Sequence, residues 1–334
     1  MYSPDELIEA GAKAIQWCAA HLREDGTFPN AETRILAYYK APVSFALTGQ
    51  VLAAGRVSHH IRKTFFEAGD FHKVADDPSA GSFLNYQNCW ITRGQHLVGN
   101  FDLAYAGADY LEGLIKANGG GLPVGKPGHP VSGQLDMSTT CNGVIAFLTL
   151  GRPEAARRAG DFVIDILREQ PQADQRIFVR RDADGNLIQD PADDLRALSV
   201  IDFSQPKQIY WFLGLALVAL GRLHLATGEA KWKETADLVC DYIDRCQPDI
   251  FQWITVAKFV WGAAENYSVT GDVRYKNLAE RMARWLIGSQ DPSGAWLRPG
   301  YQSLEVQPLD VTIDTTIERG YYLQEAAKAL SVAE

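Results

Sequence analysis

The chain has 334 residues and a net charge of −9 at neutral pH, and it is 46% hydrophobic and 22% charged. These are globular values. The acidic balance, with no basic cluster, excludes a nucleic-acid or anionic-membrane surface, because either needs cations to release counterions or to meet headgroups. No apolar run reaches the ~20 residues of a membrane-spanning helix, and the N-terminus has no basic-then-apolar leader. The expectation is a cytoplasmic protein with a small-molecule partner, no nucleic acid and no membrane span.

From the N-terminus, residues 4–22 read as a helix with one apolar side (Leu7, Ala10, Ala14, Ile15, Trp17, Cys18), ending in the turn Gly26–Phe28. An apolar segment follows at 35–47, where Pro42 predicts a kink or a late start. One-sided helices are expected at 51–67, 101–117 and 153–169, alternating with more apolar ones at 86–98 and 138–150. After an insertion near 171–205 comes the clearest pair. Residues 209–225 are apolar almost all round, which demands burial on every side. The helix beyond Thr227 and Gly228 carries one stripe, Trp232, Ala236, Val239 and Ile243, and shows its other face to water. Further pairs follow at 254–269 with 272–288, and the last apolar helix spans 312–330.

Five glycines punctuate the pattern, Gly49, Gly99, Gly151, Gly228 and Gly271, each after an apolar helix and before a one-sided one. Glycine accepts the left-handed conformation that ends a helix, so these residues predict the stops of inner helices. The spacings are 50, 52, 77 and 43 residues, the long one carrying the insertion. Six outer and six inner helices joined by short turns close without exposed end repeats as an all-α (α/α)6 toroid, one barrel domain over 1–334. In the insertion, Asp184, Gly185 and Asn186 form a tight-turn signal, and a small β-hairpin is expected near 177–189. The same run echoes a calcium loop but lacks its closing glutamate.

Cys18, Cys89, Cys141, Cys240 and Cys246 are odd in number and have no CxxC spacing. They read as ordinary thiols of a reducing compartment, with Cys89 and Cys141, near inner-helix starts, the places for a reactive one.

The turn Gln290–Trp296 matches the QxxxGxW motif of terpenoid cyclases and protein prenyltransferase β subunits, with Gly26–Phe28 and Gly69–Phe71 as degenerate copies. On these turns and the repeated hairpins, the chain resembles that α/α-toroid superfamily along nearly its full length. The resemblance implies the architecture more than the chemistry. The DxDD motif of alkene-protonating cyclases and the DDxxD motif of metal-dependent terpene synthases are both missing. Asp244 and Cys246 have the spacing of the prenyltransferase zinc pair, but no histidine follows them, so neither metal nor other cofactor is expected. The same fold also serves glycoside hydrolases and lyases of acidic sugars, which work with carboxylates at inner-helix starts.

A site belongs at those starts, where unpaired N–H groups and the positive dipole ends converge. The candidates for catalysis are Asp136, Asp314, Glu318 and Tyr39. Asp314 and Glu318 lie four apart on one side of a helix, where two carboxylates sharing a pocket yield an acid and a base. The candidates for substrate contact are Tyr38, Lys40, Tyr86, Asn88, Trp90, Thr140, Lys207, Trp211, Trp253, Lys258 and Trp261. Plainer roles compete: Asp314 as a partner of Arg319 or a helix cap, Thr140 as a cap, the aromatics as core. Lys258, inside an apolar segment, must snorkel, pair or meet an anion.

Three functions remain open at this point. The first is a metal-independent acid–base cyclase or dehydrating lyase acting on an isoprenoid or polyketide, with Lys40 and Lys258 holding an anionic or enolate oxygen. The second is a glycoside hydrolase or lyase of an acidic sugar, using Asp136 and Asp202. The third is a non-catalytic binding barrel, or one whose lumen is packed shut.

Overall fold

The computed structural model describes residues 3–74, 80–125, 129, 131–252 and 257–332, and among these it forms twelve α-helices. The outer set is α1 (Pro4–Ala20), α3 (Val51–Thr64), α5 (Phe101–Ala117), α7 (Pro153–Arg168), α9 (Ala230–Arg245) and α11 (Val273–Gly288). The inner set is α2 (Ala41–Leu47), α4 (Ala80–Leu97), α6 (Met137–Thr149), α8 (Trp211–Thr227), α10 (Ala257–Thr270) and α12 (Leu309–Val332). Each inner helix packs on the next, and α12 returns to α2 and α1, closing the ring. No helix among the described residues is long and apolar enough to cross a membrane.

Burial follows the sequence pattern. In α8 every residue from Phe212 to Gly221 is buried, whereas α9 buries Trp232, Thr235, Ala236, Val239, Cys240, Tyr242 and Ile243 and exposes its other face. Each such large apolar side chain contributes about 1.5–3 kcal/mol when fully buried. Gly49, Gly99, Gly151, Gly228 and Gly271 all have φ between 69° and 83°, so the predicted stops form as left-handed ends. The first inner segment divides: a 3-10 turn at Ile35–Ala37 precedes α2, and Pro42 marks a late start.

The turns that follow outer helices repeat one construction. Gly26, Gly69, Gly120 and Gly294 have positive φ, and a Cβ on each would lie 2.2–2.8 Å from a backbone carbonyl of the neighbouring outer helix, at Arg56, Ala106, Arg158 and Lys13. Two residues on, a backbone N–H donates to a side-chain oxygen of the inner wall. Phe28 donates to the Tyr38 hydroxyl (2.9 Å), Phe71 to Asn88 Oδ1 (3.0 Å), Leu122 to Thr140 Oγ1 (2.9 Å) and Trp296 to Thr316 Oγ1 (3.2 Å). In the QxxxGxW turn, Gln290 Nε2 also donates to Gly294 O and to Ala10 O of α1, tying the last hairpin to the first.

The turn expected in the insertion forms: Asp182 N donates to Asn186 O (2.9 Å), and Arg181 bridges Leu187. Longer pairings run elsewhere than in a local hairpin. Strand β2 (Arg176–Phe178) pairs with β4 (Val200–Asp202), and β3 (Arg180–Arg181) pairs with β1 (Leu135–Asp136) at the start of α6. The alternating segments find partners already fixed by the ring, which a reading of local periodicity does not contain.

Candidate active site

Ionisable side chains gather where α2, α8, α10 and α12 begin. Helical spacing puts Asp314 and Glu318 on one side of α12, facing Lys40 from the residue before α2 and Lys258 from the first turn of α10. Lys40 Nζ donates to Asp314 Oδ1 (2.8 Å) and to Glu318 Oε2 (2.5 Å), and Lys258 Nζ donates to Glu318 Oε1. Both lysines are only 3% exposed at the side chain. Backbone packing holds Lys258 in place: a Cβ on Gly214 of α8 would lie 2.9 Å from Lys258 Cβ, and one on Gly262 of α10 would lie 2.7 Å from Gly214 O. Only glycine lets these helices approach so closely, and the approach leaves the lysine stem one direction, inward.

Rings line the rest. Lys258 Nζ lies 4.5 Å from the Trp211 ring centroid, Lys40 Nζ lies 4.7 Å from that of Tyr39, and Trp211 stacks on Tyr86 at 6.1 Å. The walls Trp211, Lys258, Arg298, Asp314, Glu318 and Arg319 enclose a cavity of about 80 Å³. Below it, Trp90, Trp261, Tyr321 and Tyr322 are buried and in contact, with Trp261 stacked on Tyr322 at 5.0 Å, so the middle of the ring is filled. A wider hollow of about 570 Å³ opens at the opposite end, among the C-terminal turns of α6, α8, α10 and α12. There Glu265 pairs with Arg222, and Glu325 with Lys328. The smaller cavity is the better candidate because unlike charges, desolvation and helix N-termini coincide in it.

The electrostatics follow from four cations meeting two carboxylates. Burial pushes the Glu318 carboxyl up, but Lys258 and Lys40 at its two oxygens outweigh burial and hold it down at about 2. Burial lowers Lys258 to about 8, with Lys40 pushing the same way and Glu318 opposing. Arg319 is lowered to about 10, first by burial and then by Arg298, against Glu318. Tyr39 and Tyr86 are pushed well up, by burial first and then by Asp314 and Glu318 respectively, so both keep their protons at neutral pH. The Asp314 and Glu318 carboxylates are each in contact with a lysine ammonium group. Lysines occupy the space in which a dyad would hold a shared proton, and Glu318 rests as an anion, the form that can take up a proton.

The other sequence candidates fall in several places. Asp136 caps α6, accepting from Thr139 N and Ser138 Oγ (both 2.6 Å), and pairs with Arg180 at 3.4 Å, with both side chains 1% exposed. Asp202 accepts from Ser204 and pairs with Arg176 on β2, so it lies on the insertion sheet and apart from the cavity. Tyr38, Asn88 and Thr140 are engaged by the turns described above. Trp90 and Trp261 belong to the ring plug, and Lys207 is exposed in a turn at φ 57°. Trp253 lies outside the described residues. Tyr39, Lys40, Tyr86, Trp211, Lys258, Asp314 and Glu318 come together. Sequence reasoning did not single out Arg298, whose only signal is its place just after Trp296, or Tyr322, one turn beyond Glu318.

No family model and no curated protein matches the chain. Solved structures match it over nearly all its length. One is an unsaturated glucuronyl hydrolase specific for heparin, at 13% identity, covering 98% of this chain and 97% of that one with a TM-score of 0.64. Another is the type II terpene cyclase MstE from Scytonema, at 14% identity, covering 98% and 100% with a TM-score of 0.61. A third is a GH76 α-mannanase from Bacteroides thetaiotaomicron, at 11% identity, covering 96% of each chain with a TM-score of 0.66. The chain is an α/α toroid. Its matched neighbours are enzymes of unlike chemistry, so the toroid positions a site without specifying its reaction.

Proposed function

We propose that this toroid is an acid–base enzyme, a dehydrating lyase or cyclase, that grips the anionic end of a small-molecule substrate at the N-terminal mouth of its inner helices. The observation that carries the reading is the gathering of buried Lys40, Lys258 and Arg319 and half-buried Arg298 with, among the described residues, Asp314 and Glu318, beside a cavity. About 80 Å³ suits a carboxylate head, since a water occupies about 30 Å³ of liquid and whole drug-sized ligands need 300 Å³ or more. Cations and the helix N-termini of α10 and α12 stabilise an enolate that develops beside such a head. Lys258, near neutrality, takes or returns the proton, Glu318 keeps the lysine oriented, and Tyr39 donates a hydrogen bond while keeping its own proton. A second reading, a lyase or hydrolase of an acidic sugar, is favoured by the Trp211 ring as a wall on which a sugar face stacks.

The test is thermal stabilisation by a panel of 3-hydroxy carboxylates, glucuronate and the uncharged amides of both. Carboxylates are expected to raise Tm and amides not, with the effect fading as pH rises through about 8 and Lys258 discharges. Preference for the hydroxy acids over glucuronate separates the two readings. Equal stabilisation by amides and carboxylates would overturn both.

A further inference from the structure

We infer that Lys258 is a carbonyl-condensing amine, and that the substrate of this mouth is an oxo acid, an aldehyde or ketone carrying a carboxylate close by. The inference rests on the anionic-substrate reading above and names the chemical class within it. Two lysines contend for one carboxylate. Lys40 holds both Asp314 and Glu318, whereas among the described residues Lys258 contacts the one carboxylate of Glu318 and faces the rings of Trp211 and Tyr322, at 4.5 and 5.7 Å. Arg298 and Arg319 stand on the same cavity and cannot shed their charge at ordinary pH. Lys258, with one carboxylate in contact where Lys40 has two, is thus the lysine that gives up its proton at the lower cost, and the resulting amine sits on the cavity wall. A lysine desolvated beside another cation is the arrangement that makes an amine nucleophilic at neutral pH.

The step balances without an outside oxidant or reductant. Glu318 takes a proton from the Lys258 ammonium, and the freed nitrogen pair forms a bond to the carbonyl carbon as the C=O π pair moves to oxygen. The carbinolamine oxygen then leaves as water, carrying two hydrogens that began on the ammonium, one of them returned by Glu318. The nitrogen pair closes the iminium. The iminium draws electrons from the neighbouring C–H or C–C bond, and the fixed cations hold the carboxylate.

The experiment is reductive trapping. The wild-type protein is incubated with pyruvate or acetoacetate and sodium cyanoborohydride between pH 7 and 8.5, and its lysines are mapped by peptide mass spectrometry. The expected result is an adduct on Lys258 in excess over exposed Lys63 and Lys116. It should be absent in Lys258→Met, and absent from position 258 in Lys258→Arg, which keeps the charge and guards against a folding defect. Modification confined to the exposed lysines overturns the inference. If oxo acids raise Tm as other carboxylates do while Lys258 stays unmodified, condensation fails and the anion site stands. If no carboxylate stabilises the protein and Lys258 stays unmodified, both fail.

Discussion

Replacing Glu318 by Gln removes the one carboxylate that both buried lysines contact while leaving the side-chain volume almost unchanged. Lys40 retains Asp314; among the described residues Lys258 is left with ring faces and no carboxylate in contact. Breaking a buried ion pair from one side costs about 3–5 kcal/mol. With an unfolding entropy of about 2.1 cal/mol/K per residue, a chain of this length loses roughly 4–7 °C in Tm. The sign of the pH dependence is also set. Lys258 has a folded pKa below its unfolded value, so the unfolded state binds more protons between about 8 and 10.5, and stability rises with pH across that window. Without Glu318 the lysine discharges at lower pH still, and the deficit should shrink between pH 7 and pH 9.5. In wild type, Glu318 makes the opposite contribution, present above about 4.5 and lost as pH falls towards about 2. The assay is scanning calorimetry of wild type, Glu318→Gln, Lys258→Met and the double variant. Coupling in the cycle should exceed about 1 kcal/mol, because the two residues touch. A Glu318→Gln melting point within about 1 °C of wild type at pH 7 would refute the argued charge balance.

The glycines of two kinds should respond differently to alanine. Gly228 has open space around a Cβ, so Gly228→Ala costs only the left-handed backbone, about 1–2 kcal/mol in a urea melt. Gly262→Ala drives a methyl against Gly214 O, costs more than Gly228→Ala, and also weakens carboxylate binding because it displaces the helix that carries Lys258. Thr140→Val and Thr316→Val each orphan a buried N–H, of Leu122 and Trp296, at about 1–3 kcal/mol by chemical denaturation. All five cysteines are buried and burial pushes their thiols up, so dithionitrobenzoate at pH 8 should titrate none of them quickly until denaturant is added. One fast thiol would contradict the packing of its helix.

Which residues share the mouth was legible only in part. Asp314 and Glu318 are four apart in one helix, so their common side follows from the helical repeat alone. Lys40 and Asp314 are separated by 274 residues, and their pairing exists only because the ring closes. Asp136 opens an inner helix just as Asp310 opens α12, yet β3 delivers Arg180 to it and turns it into a buried cap. Tyr38, Asn88 and Thr140 look like lumen residues in one dimension. In three they bind the turns that fix each hairpin.

The sequence by itself determined the alternation of all-round and one-sided helices, the left-handed glycine stops, the closed count of six and the aromatic turn at Gln290–Trp296, because each depends on contacts within a few residues. Tertiary structure alone decided that the lumen is plugged by Trp90, Trp261, Tyr321 and Tyr322, that the space left at the N-terminal mouth of the inner helices is small, and that the carboxylates there meet lysines. Side-chain volumes facing a common axis from six different helices add only when the ring is closed, and no local pattern records that sum.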